Sequence, residues 1–356
     1  MSHSTMGRLV VPLAVVGVLT TAACSGNPPV EAAEDVPEEL QGLYEDAREE
    51  GGLIFSSSQQ GLDELAEAFE ERYPGVTVEV LSRSAGDSGA TLVTAVTAGA
   101  SPDFDVSFAQ PSGSKELLET DSIMDVDWVG LGVNPALVPD LLEGRIVHWS
   151  DTVYSIAYNT ELVSEEDVPK SWEDVAQYSD GVIAVDPRGH GFGAYAFTVD
   201  NDLEAARELA EEMRTKQLTL PGSSGMRRTT VSSGQADIGF GDHLSGILNE
   251  KERGAPIEWA RTDTVSVSPF GLFVAAGAEN PNAAKLFVVW ATSTEGLQAY
   301  EDIAGQSVLN EDVGIESARL EMLQENGTVL HSQLDYTMEE LEANNAMREE
   351  VARLFE

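Results

Sequence analysis

The sequence is almost without cysteine: Cys24 is the single one in 356 residues. Disulfides and cysteine-ligated metal sites are therefore excluded once that residue is used or removed. Basic residues are scarce as well. Lysine and arginine together number 20 against 62 acids, a formal net charge of −42. A surface of that sign repels nucleic acid and anionic lipid, so neither is expected as a partner. The acids are spread along the chain and fall at no recognisable ligand spacing. They read as a whole-surface, halophilic adaptation, in which salt screens the self-repulsion, rather than as a cation-collecting patch. Long apolar runs are missing too. The longest, Leu9–Ala23, falls short of the roughly 20 residues a membrane span needs. No nucleophile elbow, phosphate loop, zinc-binding helix motif or Cys–His pair occurs, so no familiar catalytic chemistry is signalled and no cofactor is expected. Two distant carboxylates could still serve a secreted hydrolase, which is one alternative class.

What is present begins with an export signal over residues 1–23: Arg8, then the apolar run, then Ala22-Ala23-Cys24-Ser25-Gly26. Small residues before a cysteine resemble a bacterial lipoprotein cleavage site, which implies lipidation of Cys24 and anchoring on the outer face of the cell membrane. Residues 24–36 are rich in proline, alanine and acid and read as a tether. From Pro37 the chain is folded. Strand, polar loop and helix then alternate three times: Leu53–Phe55, Val76–Leu81 and Phe104–Phe108 are the strands, and the helices carry Leu62, Leu65 and Phe69, then Leu92, Val93 and Val96, then Leu117-Leu118. That alternation predicts an α/β fold with a parallel sheet. Ligands in such sheets bind in the loops beyond the carboxyl ends of strands. Ser57, Ser58, Gln59, Ser84, Gly86, Ser88 and Gln110 occupy those loops and are the first-half candidates, although the serines would serve equally as helix N-caps.

Trp149–Trp172 organises the middle of the chain. Val153–Tyr158 alternates as a strand, Tyr158-Asn159-Thr160 ends it, and Ser171 precedes a helix with Glu173 and Asp174 in its first turn. After a further strand, Val182–Val185, comes Asp186-Pro187-Arg188-Gly189-His190-Gly191-Phe192-Gly193-Ala194. Its Gly-x-Gly-x-x-Ala spacing matches part of a dinucleotide fingerprint, but Pro187 interrupts the turn and no acid follows on a second strand. His190 and Gly191 are kept as candidates for contact with a solute. Ser224, Arg227 and Arg228 lie on a later helix, with the arginine pair readable as an anion contact or as a surface counter-charge. Ile257–Ala260 and Val265–Val274 read as strands returning to the first half.

These passages resemble those of bacterial extracellular solute-binding proteins, in particular the ferric-iron-type branch. The resemblance rests on "AYNTELVSEEDVPKSW", "LYEDAREEGGLIFSSSQ", "FEERYPGVTVEV", the Gly234–Gly239 stretch and "NPNAAKLFVVWATSTEGLQAY". It implies an α/β two-lobe type II periplasmic-binding-protein fold with a two-strand hinge. Residues 37–150 and 265–310 would form one lobe, 151–264 the other, and 311–356 a C-terminal helical segment of unassigned role with Leu341, Met347, Val351 and Leu354 as its packing stripe. It further implies no enzyme but a monomeric binder, taking a small molecule or ion between its lobes and presenting it to a membrane ABC permease. A sensory or adhesive lipoprotein on the same fold is the other alternative. Tyr158 joins the site candidates on this basis. Ferric-binding relatives usually place two adjacent tyrosines just after the Ile238–Gly241 strand. This chain has Asp242-His243 there and no Tyr-Tyr pair anywhere. Asp242 and His243 are thus the possible metal ligands, and iron, an iron complex, a phosphonate or other anion, a polyamine and a sugar all stay open as solutes.

Overall fold

The computed structural model describes Ala33 and residues 35–356 other than Asp180. The export signal, Cys24 and most of the tether lie outside the described residues. The first half of the fold holds α1 (Glu38–Glu50), β1 (Gly52–Ser56), α2 (Leu62–Arg72), β2 (Thr77–Leu81), α3 (Ala85–Thr97), β3 (Val106–Ala109) and α4 (Lys115–Glu119). A long strand, β4 (Val147–Asn159), leaves it. The second half holds α5 (Asp174–Gln177), β5 (Ile183–Val185), α6 (His190–Thr198), α7 (Leu203–Met213), β6 (Leu218–Thr219), α8 (Ser224–Ser232), β7 (Ile238–His243), α9 (Leu244–Glu252) and β8 (Ile257–Trp259). The equally long β9 (Thr264–Val274) returns. α10 (Pro281–Ala291), α11 (Thr294–Ala304), α12 (Ala318–Glu325), β10 (Val329–Ser332) and α13 (Met338–Ala352) complete the chain. Among the described residues no helix is long and apolar enough to cross a membrane.

One sheet runs through both halves in the order β2-β1-β3-β9-β4-β7-β5-β6, with β10 beside β9 and β8 beside β4. β2, β1 and β3 are parallel, as are β7, β5 and β6. The alternation of strand and helix forces this, because parallel neighbours need a crossover helix. β4 and β9 are the exception. They pair antiparallel from Val147↔Leu272 to Tyr154↔Ser266. Beyond Tyr154, β4 pairs instead with β7, from Tyr154↔His243 to Tyr158↔Ile238. Each long strand therefore belongs to two packing environments, and bulges at His148/Ser150 and Ser155/Ala157 mark the transition. Bulges add local twist, which lets one sheet turn from one lobe into the next.

Each lobe has its own core. Phe55, Phe69, Trp149, Phe287 and Trp290 anchor the first, with a satellite around Leu92, Phe104 and Phe273. Trp172, Phe192, Phe240 and Met213 anchor the second, and Trp259, Leu244 and Ile247 fill its other face. The YN and PxSW stretches have structural reasons. Asn159 is buried; its amide donates to the Val231 carbonyl at 2.7 Å and its carbonyl oxygen accepts from the Glu161 N–H at 2.9 Å, which ties the end of β4 to α8. Trp172 donates its indole N–H to the Thr264 carbonyl at 3.1 Å, fastening the linker to the start of β9.

Several expected limits shift. β4 starts six residues earlier than the alternation at Val153 implies, because its first stretch is buried although it carries His148, Ser150 and Asp151. A polar network behind the strand satisfies His148 and Asp151: Asp151 accepts from His148 Nε2 at 2.9 Å and from the Leu309 N–H at 2.7 Å, and Arg319 donates to the Asp151 carbonyl at 2.9 Å. The polar stretch Ser82–Ser88 is not all loop, since Ser84 accepts from the Asp87 N–H at 3.1 Å and starts α3 at Ala85. Asn159→Ala should cost about 2 kcal/mol in denaturant unfolding, since it leaves one buried N–H and a carbonyl short of partners, while leaving ligand-induced stabilisation unchanged.

Candidate functional site at the lobe junction

The carboxyl ends of β5 and β7 and the middle of β4 meet at one place. There the second lobe presents a buried charge cluster. Arg227, on α8, is only 1% exposed. Its Nη2 donates to the Gly241 carbonyl at 3.0 Å, its Nε lies 3.4 Å from Asp242, and its Nη1 lies 3.7 Å from Asp186. One guanidinium thus spans the ends of both strands. Arg228 donates to Asp242 Oδ1 at 2.8 Å, and the His243 N–H donates to the same oxygen at 2.7 Å. Asp186 also holds Arg188 at 2.7 Å, and His190 Nδ1 lies 3.3 Å away from it. Burial alone would raise the Asp186 pKa, but contact with His190 and Arg188 overrides it and keeps the carboxyl far below its usual range. Burial lowers the His190 pKa against the pull of Asp186, with Arg348 adding to the lowering. His243 packs edge-on against Tyr154, centroids 5.0 Å apart. Burial first, then Arg227 and Arg228, push its pKa down to about 4, with Asp242 opposing.

Above this cluster sits a cavity of about 20 Å³. Gln110 and Ser112 reach it from the first lobe, Tyr154 and Ser268 from β4 and β9, and His190, Gly193 and Phe197 from the second lobe. Gln110 Nε2 donates to Ser268 Oγ at 2.5 Å. The fourth wall is α13, through Asn344, Asn345 and Arg348, with Gln333 just before it. The segment with no assigned role is therefore part of the junction. It straddles both lobes. Leu334 and Met338 pack on the satellite core of the first lobe, Met347 and Val351 on the core of the second. Asn345 donates to the Ser112 carbonyl at 2.7 Å, and Lys115 pairs with Glu342 at 2.5 Å. On the other side Asn344 donates to the Gly193 carbonyl at 3.1 Å.

α13 can come this close because of the glycine run. A Cβ on Gly193 would stand 2.5 Å from Arg348 Cδ and 2.8 Å from Asn344 Oδ1, and one on Gly189 would stand 2.7 Å from the Arg348 carbonyl oxygen. A Cβ on Gly191 would press within 2.8 Å of the Phe240 ring. The glycines at 189, 191 and 193 thus admit a helix on one side and a strand on the other.

The sequence candidates separate accordingly. Gln110 and His190 line the cavity together. Arg227, Asp242 and His243 form the charge cluster beneath it, so Arg227 is no surface counter-charge. Ser57 is buried and continues the β1–β2 ladder through its N–H to Leu81 and its carbonyl to Arg83. Ser84 is the α3 N-cap, Gly86 lies exposed in that helix's first turn, and Ser88 is buried, bonded to Ser56 at 2.8 Å. Ser58 is exposed and Gln59 half-buried, and neither is among the cavity-lining residues. Ser224 is half-buried in the first turn of α8, outside the lining as well. Tyr158 sits at the far end of β4, opposite Ile238 and outside the cavity lining, whereas Tyr154, four residues earlier, lines it. Among the described residues no group of three or more His, Cys, Asp or Glu side chains converges as a metal site. Tyr154, Ser268, Asn344, Asn345 and Arg348 were not foreseen. Only the Leu341–Leu354 spacing hinted that the tail packs.

The sequence profile of the family described as bacterial extracellular solute-binding protein matches residues 55–298, more than half of the chain. The chain belongs to that family. Solved structures agree on the two-lobe fold of this solute-binding protein. The substrate-binding protein of an ABC transporter from Agrobacterium tumefaciens superposes with a TM-score of 0.69 at 16% identity, covering 85% of this chain and 94% of that one. Iron-bound HitA from Pseudomonas aeruginosa superposes with a TM-score of 0.64 at 18% identity, covering 84% and 99%. A Haemophilus influenzae protein described as uncharacterized is 29% identical over 164 residues, 42% of this chain. The match spans 46% of that relative's length, less than half.

Two outcomes test this geometry. Gly193→Val should lower stability by about 1–3 kcal/mol through overpacking and should expose α13 to limited proteolysis ahead of the rest of the chain. His243 is neutral when folded and protonates near 6.5 when unfolded. Its contribution is therefore present above pH 6.5 and is lost as pH falls towards 4. Wild type should lose about 3 kcal/mol more than His243→Gln between pH 7 and pH 4 in chemical denaturation. Parallel losses in the two proteins would refute the assignment.

Proposed function

We propose that this solute-binding protein captures a small, oxygen-rich solute at the lobe junction and presents it to a membrane ABC permease. The observation that carries this reading is the polar cavity resting on β4 and β9, with Gln110 and Ser112 from one lobe and His190 from the other. Two antiparallel crossings make a hinge, and groups on both sides of a hinge meet only when it closes. At about 20 Å³ the cavity holds little more than a water. Solute entry thus requires the lobes to part, and closure then desolvates the solute.

Bare ferric ion fits poorly. Asp242 gives one oxygen to Arg228 and the His243 N–H and turns the other towards Arg227. A trivalent cation there would displace or face two guanidinium groups, and the tyrosine pair of ferric binders is missing. The protein is exported, carries its lipid on Cys24 and is tethered through residues 24–36, and it works as a monomer. The extracellular character of the family and the small-residue run before Cys24 support that placement.

A thermal-shift panel on the full-length chain in detergent, at low and high salt, tests the reading. It contains free ferric ion, ferric citrate, methylphosphonate, spermidine and glucose. A true solute at about 100 times its dissociation constant stabilises by roughly 2.7 kcal/mol and is recovered unchanged. If no solute shifts the protein and native mass spectrometry finds no co-purified small molecule, the binding role is refuted. Turnover of a solute would assign the fold to an enzyme instead.

A further inference from the structure

Arg348 differs from the other cations around it. Arg188, Arg227 and Arg228 have carboxylates at 2.7, 3.4 and 2.8 Å, and the buried Arg319 has one at 3.5 Å. Among the described residues no carboxylate comes within 4.0 Å of Arg348. Its Nη1 donates to the side-chain Oδ1 of Asn345 at 3.0 Å, and its Nε is buried with no hydrogen-bond partner. In a chain with 62 acids and 20 bases, a guanidinium turned inwards without an acid is a conspicuous exception. Gln333 Oε1, on the same cavity, is also buried without a partner. His190 Nδ1, a third cavity group, has only the unaligned contact with Asp186. Buried charges and polar atoms left this way are costly, so they mark where a partner belongs. The local charge balance agrees. Four arginines (188, 227, 228 and 348) against Asp186 and Asp242 leave a net of +2, while the whole chain stands at −42.

We propose that Arg348 is the seat for an oxyanion of the solute, a carboxylate or phosphonate, and that α13 thereby sets the solute class. This deepens the junction-binding reading and rests on it. A guanidinium takes such groups through two parallel N–H···O bonds. Gln333 Oε1 asks in addition for a donor, so the solute is a small acid that also carries a hydroxyl or ammonium group. Polyamines and neutral sugars do not match this lining. Because the seat arrives on α13, neither lobe alone would bind the acid.

The test uses full-length chain titrated calorimetrically with malate, glutamate, methylphosphonate, spermidine and glucose. The expected result is binding by one or more of the acids alone, weakened about 100-fold in Arg348→Gln and partly restored in Arg348→Lys. Unliganded Arg348→Gln should melt at or above the wild-type temperature, because the change removes a half-buried charge that has no acid beside it. A residue with a merely structural role would lower that temperature. If spermidine or glucose binds wild type and Arg348→Gln equally, the oxyanion seat is overturned while junction binding stands. If no probe binds and no small molecule co-purifies, both readings fall.

Discussion

Everything at the junction depends on two strands that run antiparallel between the lobes. β4 and β9 are paired over most of their lengths, and each continues into a separate parallel array. A ladder of backbone hydrogen bonds resists stretching and register slip but tolerates twist. Relative movement of the lobes is thereby limited largely to bending about this pair. Polar residues on the strands, Ser268 and Tyr154, then become fixed points towards which both lobes bring their own groups.

The helix that crosses the junction gives that hinge a second constraint. α13 bonds to the turn after β3 on one side and to α6 on the other, and its apolar residues are divided between two cores. Its contacts with the first lobe are Met338 on the satellite core, one backbone carbonyl and one partly exposed ion pair, the last worth little in water. Its contacts with the second lobe include buried Met347 and Val351. α13 is therefore anchored more deeply in the second lobe, where Met347 and Val351 are fully buried, than in the first.

Much of the fold was legible in the sequence because parallel α/β architecture writes a strong local pattern. Strands beginning at Leu53 and Val76 alternate with amphipathic helices, and the family phrases around Asn159 and Trp172 mark real ties to α8 and β9. The site was far less legible. Serines in post-strand loops look alike whether they cap, bond each other or face a cavity. Here Ser84 caps and Ser88 meets Ser56, and no local signal separates those fates. The start of β4 was hidden because its buried polar residues find partners near Leu309 and Arg319, more than a hundred positions away. Arg348 had no signal at all. It is one arginine in an acid-rich helix, and only the glycine run at 189–193, itself readable as a turn, explains how it gets in.

The junction also fixes an order of assembly. Its groups range from Gln110 to Arg348, with members on nearly every part of the chain between. Contacts that distant form late, after the local helices and the parallel arrays, because closing such large loops is entropically unfavourable. A nascent chain released up to residue 330 already contains both hinge strands and most of both cores, yet it lacks Met347, Val351 and the junction wall that α13 provides. Quality control acting on exposed apolar surface would meet an unmatched patch on α6 and α7 until the last helix docks.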